Sequence, residues 1–165
     1  MAVDCFLEIV DVSKAIPGET TDSVHSGLLQ IRNFSFGVEA TASAATGSGL
    51  GAGKAILKAF SFDVDNSIAS PILYKYCCNG FHCKTATLYV RKAGGKPLDY
   101  YVWKFKDLII TGFELSCGEE IVEKVTIAYT ALYCEYKKQK QDGTLENTAY
   151  KAGWDVKING EWNGS

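Results

Sequence analysis

A chain of 165 residues that is 47% hydrophobic and 22% charged has the size and composition of one globular domain with a substantial core, so a single domain over 1–165 is expected. Its 17 Lys and Arg against 19 Asp and Glu give a formal net charge of −2, which leaves no broad cationic surface for nucleic acid or an anionic membrane. No stretch approaches the roughly 20 apolar residues of a spanning helix, and the start Met1-Ala2-Val3-Asp4-Cys5-Phe6-Leu7-Glu8 lacks the basic and apolar regions of a cleavable signal, so a protein folded in the cytosol is expected.

Apolar and polar residues alternate through most of the chain, which makes the fold mainly β. Short strands are expected at 5–12 and 28–38. Between them His25, flanked by Ser23 and Ser26, falls in a polar loop and reads as a solvated histidine, because adjacency in sequence is not triad geometry. Residues Gly47, Ser48, Gly49, Leu50, Gly51, Ala52, Gly53 and Lys54 resemble a phosphate-binding loop, and a nucleotide-binding enzyme is one alternative reading. The pattern fails at Ser48, where the leading Gly belongs, and at Ala55, where a magnesium-binding hydroxyl belongs. A strand at 55–62 follows, instead of the helix that would cap a phosphate. The segment reads as a long, flexible, side-chain-poor loop able to lie flat on a neighbouring surface.

One helix is expected, at about 68–79, where Ile68, Ile72 and Tyr76 recur beside Leu73 and Cys77. Ser67 or Asn66 can cap its start, Pro71 is tolerated in the first turn, and Gly80 suits the position just past the end. The run Cys77-Cys78-Asn79-Gly80-Phe81-His82-Cys83 offers zinc-ligating groups, and a Cys/His zinc-binding β module is a second alternative. It lacks paired CxxC knuckles, and adjacent Cys77 and Cys78 point in different directions on a helix, so small buried hydrophobes are the plainer reading. With Cys5, Cys117 and Cys134 they make six cysteines, expected as free thiols in a reducing cytosol.

A strand at 84–92 leads into a turn at Ala93-Gly94-Gly95. In the next, 100–106, Tyr101, Trp103 and Phe105 share one face and Lys104 and Lys106 the other. The alternation of Val125, Ile127, Tyr129, Ala131 and Tyr133 carries a single strand over 121–136, far longer than the usual 5 or 6 residues. A last strand is expected at 154–158. The carboxylates of Asp63, Asp65, Glu119 and Glu120 sit in turns or strand ends without the surroundings of a glycosidase pair and read as solvated. No catalytic residue, metal ligand or cofactor is assigned, and an enzyme is not expected.

The order of residues resembles the haemolysin-coregulated proteins, Hcp, of type VI secretion systems. Met1-Ala2-Val3-Asp4 with Phe6 and Ile9 is similar to the family's opening strand, and Phe34-Ser35-Phe36-Gly37 to its aromatic-Ser-aromatic-Gly strand. Gly51-Ala52-Gly53-Lys54, Phe60-Ser61-Phe62, Ser70-Pro71, Gly80 with His82, Val90-Arg91-Lys92-Ala93-Gly94-Gly95, Gln139-Lys140, Asp142-Gly143 and Trp154-Asp155 follow in the family's order and spacing. The resemblance implies a β-barrel of two antiparallel sheets with one flanking helix and an extended Gly-rich loop. It also implies a homo-hexameric ring whose copies stack into a tube, with sheath and spike proteins as partners and small effector proteins in the lumen. Such a protein resides in the bacterial cytoplasm before firing and is then secreted without a cleavable signal. Residues 47–54 become the ring-stacking segment and Ser35 a lumen-facing residue. The six cysteines, Tyr74-Lys75-Tyr76 and the tail Asn159-Gly160-Glu161-Trp162-Asn163-Gly164 depart from the family's pattern.

Overall fold

The computed structural model describes residues 3–45, 49–92 and 97–165. Nine strands and one helix follow in the order β1 (Val3–Val10), β2 (Leu29–Ala45), β3 (Gly49–Val64), α1 (Ser70–Asn79), β4 (His82–Lys92), β5 (Asp99–Cys117), β6 (Ile121–Ala128), β7 (Ala131–Gln139), β8 (Leu145–Asp155) and β9 (Gly160–Glu161). All the pairings are antiparallel. β1 pairs with β2 and β4, β2 with β3, β3 with β6, β6 with β5, and β5 returns to β4, so six strands close on themselves. Closure hides strand edges and gives the alternating apolar residues a common interior. β7, β8 and β9 continue outward from β5 as a flap.

The interior is filled by Phe60, Phe62, Phe105, Leu7, Ile9, Leu88, Ile110 and Ile127, all buried. Phe60 and Phe105 stack with ring centroids 4.5 Å apart. Helix α1 plugs this interior with Leu73, and Ile72, Tyr76 and Cys77 pack beside it. Its cap differs from expectation: the N-cap position is Ala69, with no side-chain cap, and neither Ser67 nor Asn66 fills it. Ser67 Oγ instead accepts the Ala69 N–H, and the Ser70 hydroxyl donates to buried Glu123 on β6 at 2.9 Å, tying the helix start to the barrel wall. Gly80 closes the helix at φ 64°, the left-handed conformation that favours glycine.

The strand expected over 121–136 is interrupted at Tyr129–Thr130, where β6 gives way to β7. Opposite the break Asp107 takes φ 53°. The Thr130 hydroxyl donates to Asp107 and its N–H to the Lys106 carbonyl, so the two strands bend together. Pairing resumes with the same offset, Ile109 facing Ala128 before the bend and Lys106 facing Ala131 after it. Val125, Ile127 and Tyr129 enter the main core, whereas Ala131 and Tyr133 enter a second cluster under Trp162. The strand expected at 154–158 is mostly the turn after β8. The turn expected at 93–95 lies outside the described residues.

Candidate assembly surfaces

The sheet β2–β3–β6–β5 has a core face and a polar face. On the polar face Arg32 stands opposite Asp63, Asp63 opposite Lys124, and Lys124 opposite Glu114, an alternating row of charges across four strands. Opposite charges on neighbouring strands attract and no single sign accumulates. The next row is small: Ser35 faces Ser61, Ser61 faces Thr126, and Thr126 faces Gly112. The Ser35 and Ser61 hydroxyls are 3.2 Å apart and Ser35 is exposed. Arg32 also reaches Asp65 at 2.8 Å, and that hydrogen bond raises its pKa further. The core face of the same strands carries Phe60, Phe62 and Val125.

Two edges of this sheet have no strand beside them among the described residues. β1 pairs only with Leu29–Ile31, so β2 is open on its outer side from Asn33 onward. β4 reaches β5 only as far as Ile109, so β5 is open from Thr111 to Cys117. Unpaired backbone donors and acceptors of this kind are a template for another strand.

The segment read as a loop at 47–54 is largely strand. Ala42 faces Ala52, Ser43 faces Gly51, Ala44 faces Leu50 and Ala45 faces Gly49, so the Gly-rich run forms the far end of a β2–β3 hairpin. Gly47 and Ser48 lie outside the described residues. At Gly53 a Cβ would come within 2.2 Å of Thr41 Oγ1, so glycine there permits the close approach of the two strands. Lys54 is exposed on β3 and the chain runs on from it as strand to Val64, which removes the context of a phosphate loop.

A groove of about 950 Å³ opens where the hairpin diverges from the β7–β8 flap. Val38 and Leu57 form one wall, and Trp103, Leu132, Cys134 and Trp154 the other. These residues are on the side of the sheets that forms the barrel interior: Trp103 packs on Phe36 at 4.8 Å, and Phe105, one step along the same face, is fully buried. Lys151 and Glu161 stand at the rim. The chain's own tail packs on the flap and adds Trp162 and Asn163 to the groove's lining. Trp162 is buried against Tyr133, its N–H pairs with the Gly153 carbonyl, and its indole Nε1 donates to the Ser165 carbonyl at 3.1 Å.

The remaining candidates separate. His25, expected in solvent, is buried at 6% exposure between the rings of Phe6 and Tyr89, and its Nε2 lies within 3.0 Å of both Asp99 oxygens. The signal that would have found it is Asp22, whose carboxylate accepts the Val24 and His25 N–H groups and the Arg91 guanidinium, folding the polar loop inward. Those hydrogen bonds, Arg91 first, hold the Asp22 carboxyl far below the usual carboxylate range. Cys83 is in the core, where burial pushes its thiol up to about 11; Cys77 is half-buried and Cys78 exposed, the two pointing apart as a helix requires. Among the described residues no group of three or more His, Cys, Asp or Glu is arranged to hold a metal. Asp63 and Asp65 are engaged by Asn33 and Arg32, and Glu119 and Glu120 lie in an exposed turn.

Residues 6–136 match the family described as "Type VI secretion system effector, Hcp". The chain is 32% identical over 163 residues to protein hcp1 of Pseudomonas aeruginosa, covering 96% of this chain and 98% of that one. The crystal structure of Hcp1 from Salmonella typhimurium superimposes with a TM-score of 0.78 at 31% identity, over 98% of this chain and all of that one. A type six secretion system protein of known structure shares the fold with a TM-score of 0.88 at 22% identity, over 98% of this chain.

Proposed function

The chain belongs to the Hcp family of type VI secretion proteins, and on that premise we propose that it is a structural subunit of the machine's inner tube. Copies close into hexameric rings, rings stack into a hollow tube, and a contracting sheath expels the tube with its spike. Small effector proteins ride in the lumen. The protein resides in the bacterial cytoplasm until firing delivers it outside or into a target cell.

The observation that carries this reading is the β2–β3–β6–β5 sheet, cored on one side, polar on the other and open at both edges. Three successive antiparallel pairings separate β2 from β5, so the two edge strands run in opposite directions. When β2 of one copy meets β5 of the next, the joined sheet stays antiparallel, and a head-to-tail contact of this kind closes by rotation into a ring without leaving an edge. The polar face then lines the channel, with Ser35 in its row of small hydroxyls and a wall of balanced charge that suits transit of varied cargo. The Gly-rich hairpin end, Gly49 to Lys54, projects toward the adjacent ring and provides the stacking contact; a two-stranded ribbon is marginal alone and gains from a covering surface.

Negative-stain electron micrographs and light scattering of the purified protein test the reading. Annular particles with an open centre are expected. Monomers persisting at high concentration would overturn it.

A further inference from the structure

We propose that the apolar groove between the β2–β3 hairpin and the β7–β8 flap receives helix α1 of the neighbouring copy. This rests on the ring reading above and assigns the second contact of the same interface. The groove's walls are interior residues without a covering layer: Trp154 is 39% and Val38 57% exposed, beside Trp103 and Leu132. A sheet face of this composition is stable when another element lies on it.

Helix α1 presents a matching stripe. Pro71, Tyr74, Lys75 and Cys78 recur at helical spacing, and all four are exposed, Tyr74 at 59%. The helix packs on β5, with the Tyr74 ring 6.0 Å from that of Phe113 on the core side of the sheet. The groove also lies on the core side, beneath Val38 of β2. Strand β5 is one open edge of the four-stranded sheet and β2 the other. Joining them brings α1 of one copy onto the core side of the next copy's β2, over the mouth of the groove. Lys75 on the helix is opposite in charge to Glu161 at the rim, which also carries Lys151. The acidic β5–β6 turn is a poorer occupant, because Glu119 and Glu120 would have to leave water for an apolar cleft.

The two surfaces each carry a native thiol, Cys78 on the helix and Cys134 in the groove, so the full-length protein reports its own contact. Assembled protein is treated with diamide or a short bis-maleimide bridge, digested and mapped by mass spectrometry, with micrographs of the same sample. A Cys78–Cys134 link between copies is expected, lost in Cys78→Ser and in Cys134→Ser and retained in Cys117→Ser. Annular particles without that link would overturn the inference and leave the ring reading standing. Loss of annular particles altogether would overturn both. In a second arm, Tyr74→Asp, at an exposed position, leaves the monomer's circular dichroism unchanged and raises the concentration needed for ring formation by about 100-fold, because a carboxylate must then be buried unpaired. Rings forming at the parent concentration would overturn the inference.

Discussion

The imidazole of His25 and the carboxylate of Asp99 meet at 2.9 and 3.0 Å across a separation of 74 positions, and this contact pins the excursion between β1 and β2 to the start of β5. Beside it Arg91 is 5% exposed, lies over the Phe6 ring at 4.6 Å and grips Asp22 through both terminal nitrogens. Removing the ring by His25→Ala empties the space between Phe6 and Tyr89 and leaves Asp99 without its partner. A loss of about 3 kcal/mol in unfolding free energy is expected, from the cavity and the unmet carboxylate together. Urea denaturation followed by tryptophan fluorescence measures it, and a change below about 1 kcal/mol would show that the contact is ornamental.

The charged contacts fix the response to pH at both ends. Asp22, through Arg91, and Asp11, through the Ser13, Val12 and Lys14 N–H groups and Tyr76, have folded pKa values below 3.8. Lowered values mean stability that is present above the unfolded pKa and lost as pH falls through the folded one, so the protein weakens progressively below about pH 4. On the alkaline side burial raises Cys83 from 9.0 to about 11 and Tyr129 from 10.0 to about 12. Raised values give stability present below the unfolded pKa and lost as pH rises toward the folded one, so decline sets in above about pH 9. Thermal melts between pH 2 and pH 11 should trace a plateau with both shoulders, and Cys83→Ala should shift the alkaline one upward. An acid limb unchanged in Asp22→Asn would assign it to other carboxylates.

The tail depends on two close approaches. Gly164, at φ 83°, lies flat on the Tyr133 ring, where a Cβ would meet three ring atoms within 2.9 Å, and a Cβ at Gly153 would fall 2.1 Å from the Trp162 carbonyl. Gly153→Ala is therefore expected to release Trp162 and cost roughly 2 kcal/mol, mostly through overpacking and lost burial. Trp162→Ala should cost a similar amount, and the double variant little more than either, since both act on one contact. Additive losses in the urea midpoints would show that the tail does not hold the flap.

Alternation made the β class readable, and Ile68 to Cys77 made the helix readable, because both depend on local period. The break at Tyr129–Thr130 was hidden for a physical reason. Val125, Ile127 and Tyr129 serve the main core and Ala131 and Tyr133 the tail cluster, so burial alternates without interruption while the face changes owner. Most of β8 is hidden because its apolar face, Tyr150, Ala152 and Trp154, is short and its first half, with Glu146, Asn147 and Thr148, is polar. His25 differs from its solvated reading because its burial depends on Phe6, Tyr89 and Asp99, all distant in sequence, and the nearby Asp22 is the one local sign that the loop folds inward. The groove is equally non-local, its walls coming from β2, β3, β5, β7 and β8. The Gly-rich run was legible as an extension and not as paired strand, because glycine suppresses the alternation that marks one.

Lumen exposure at Ser35 is separable from stability. In a background with Cys77, Cys78, Cys117 and Cys134 each replaced by Ser, Ser35→Cys should fold and form rings like the parent, since the side chain is exposed and nearly isosteric. A small maleimide should label it in both free subunits and tubes, while a polyethylene-glycol maleimide of several kilodaltons should label free subunits and stall on tubes. Equal labelling of both forms by the large reagent would put Ser35 on the outside.

The hairpin end separates stacking from ring closure. Gly53 tolerates no side chain while Thr41 Oγ1 stands 2.2 Å from its Cβ position, so Gly53→Val must push the two strands apart near the tip. The ring-closing part of β5, beyond Thr111, pairs with β6 and not with the tip, and β2 short of Thr41 keeps its pairing with β3 at Val38, Glu39 and Ala40. Gly53→Val is expected to leave the proportion of annular particles unchanged and to shorten or abolish tubes in the same micrographs. A coupled loss of rings would mean that the hairpin end supports the ring interface itself, because distortion at Gly53 would then propagate along β2 to the edge that meets the next copy. Parent-length tubes would mean that the tip makes no stacking contact at all.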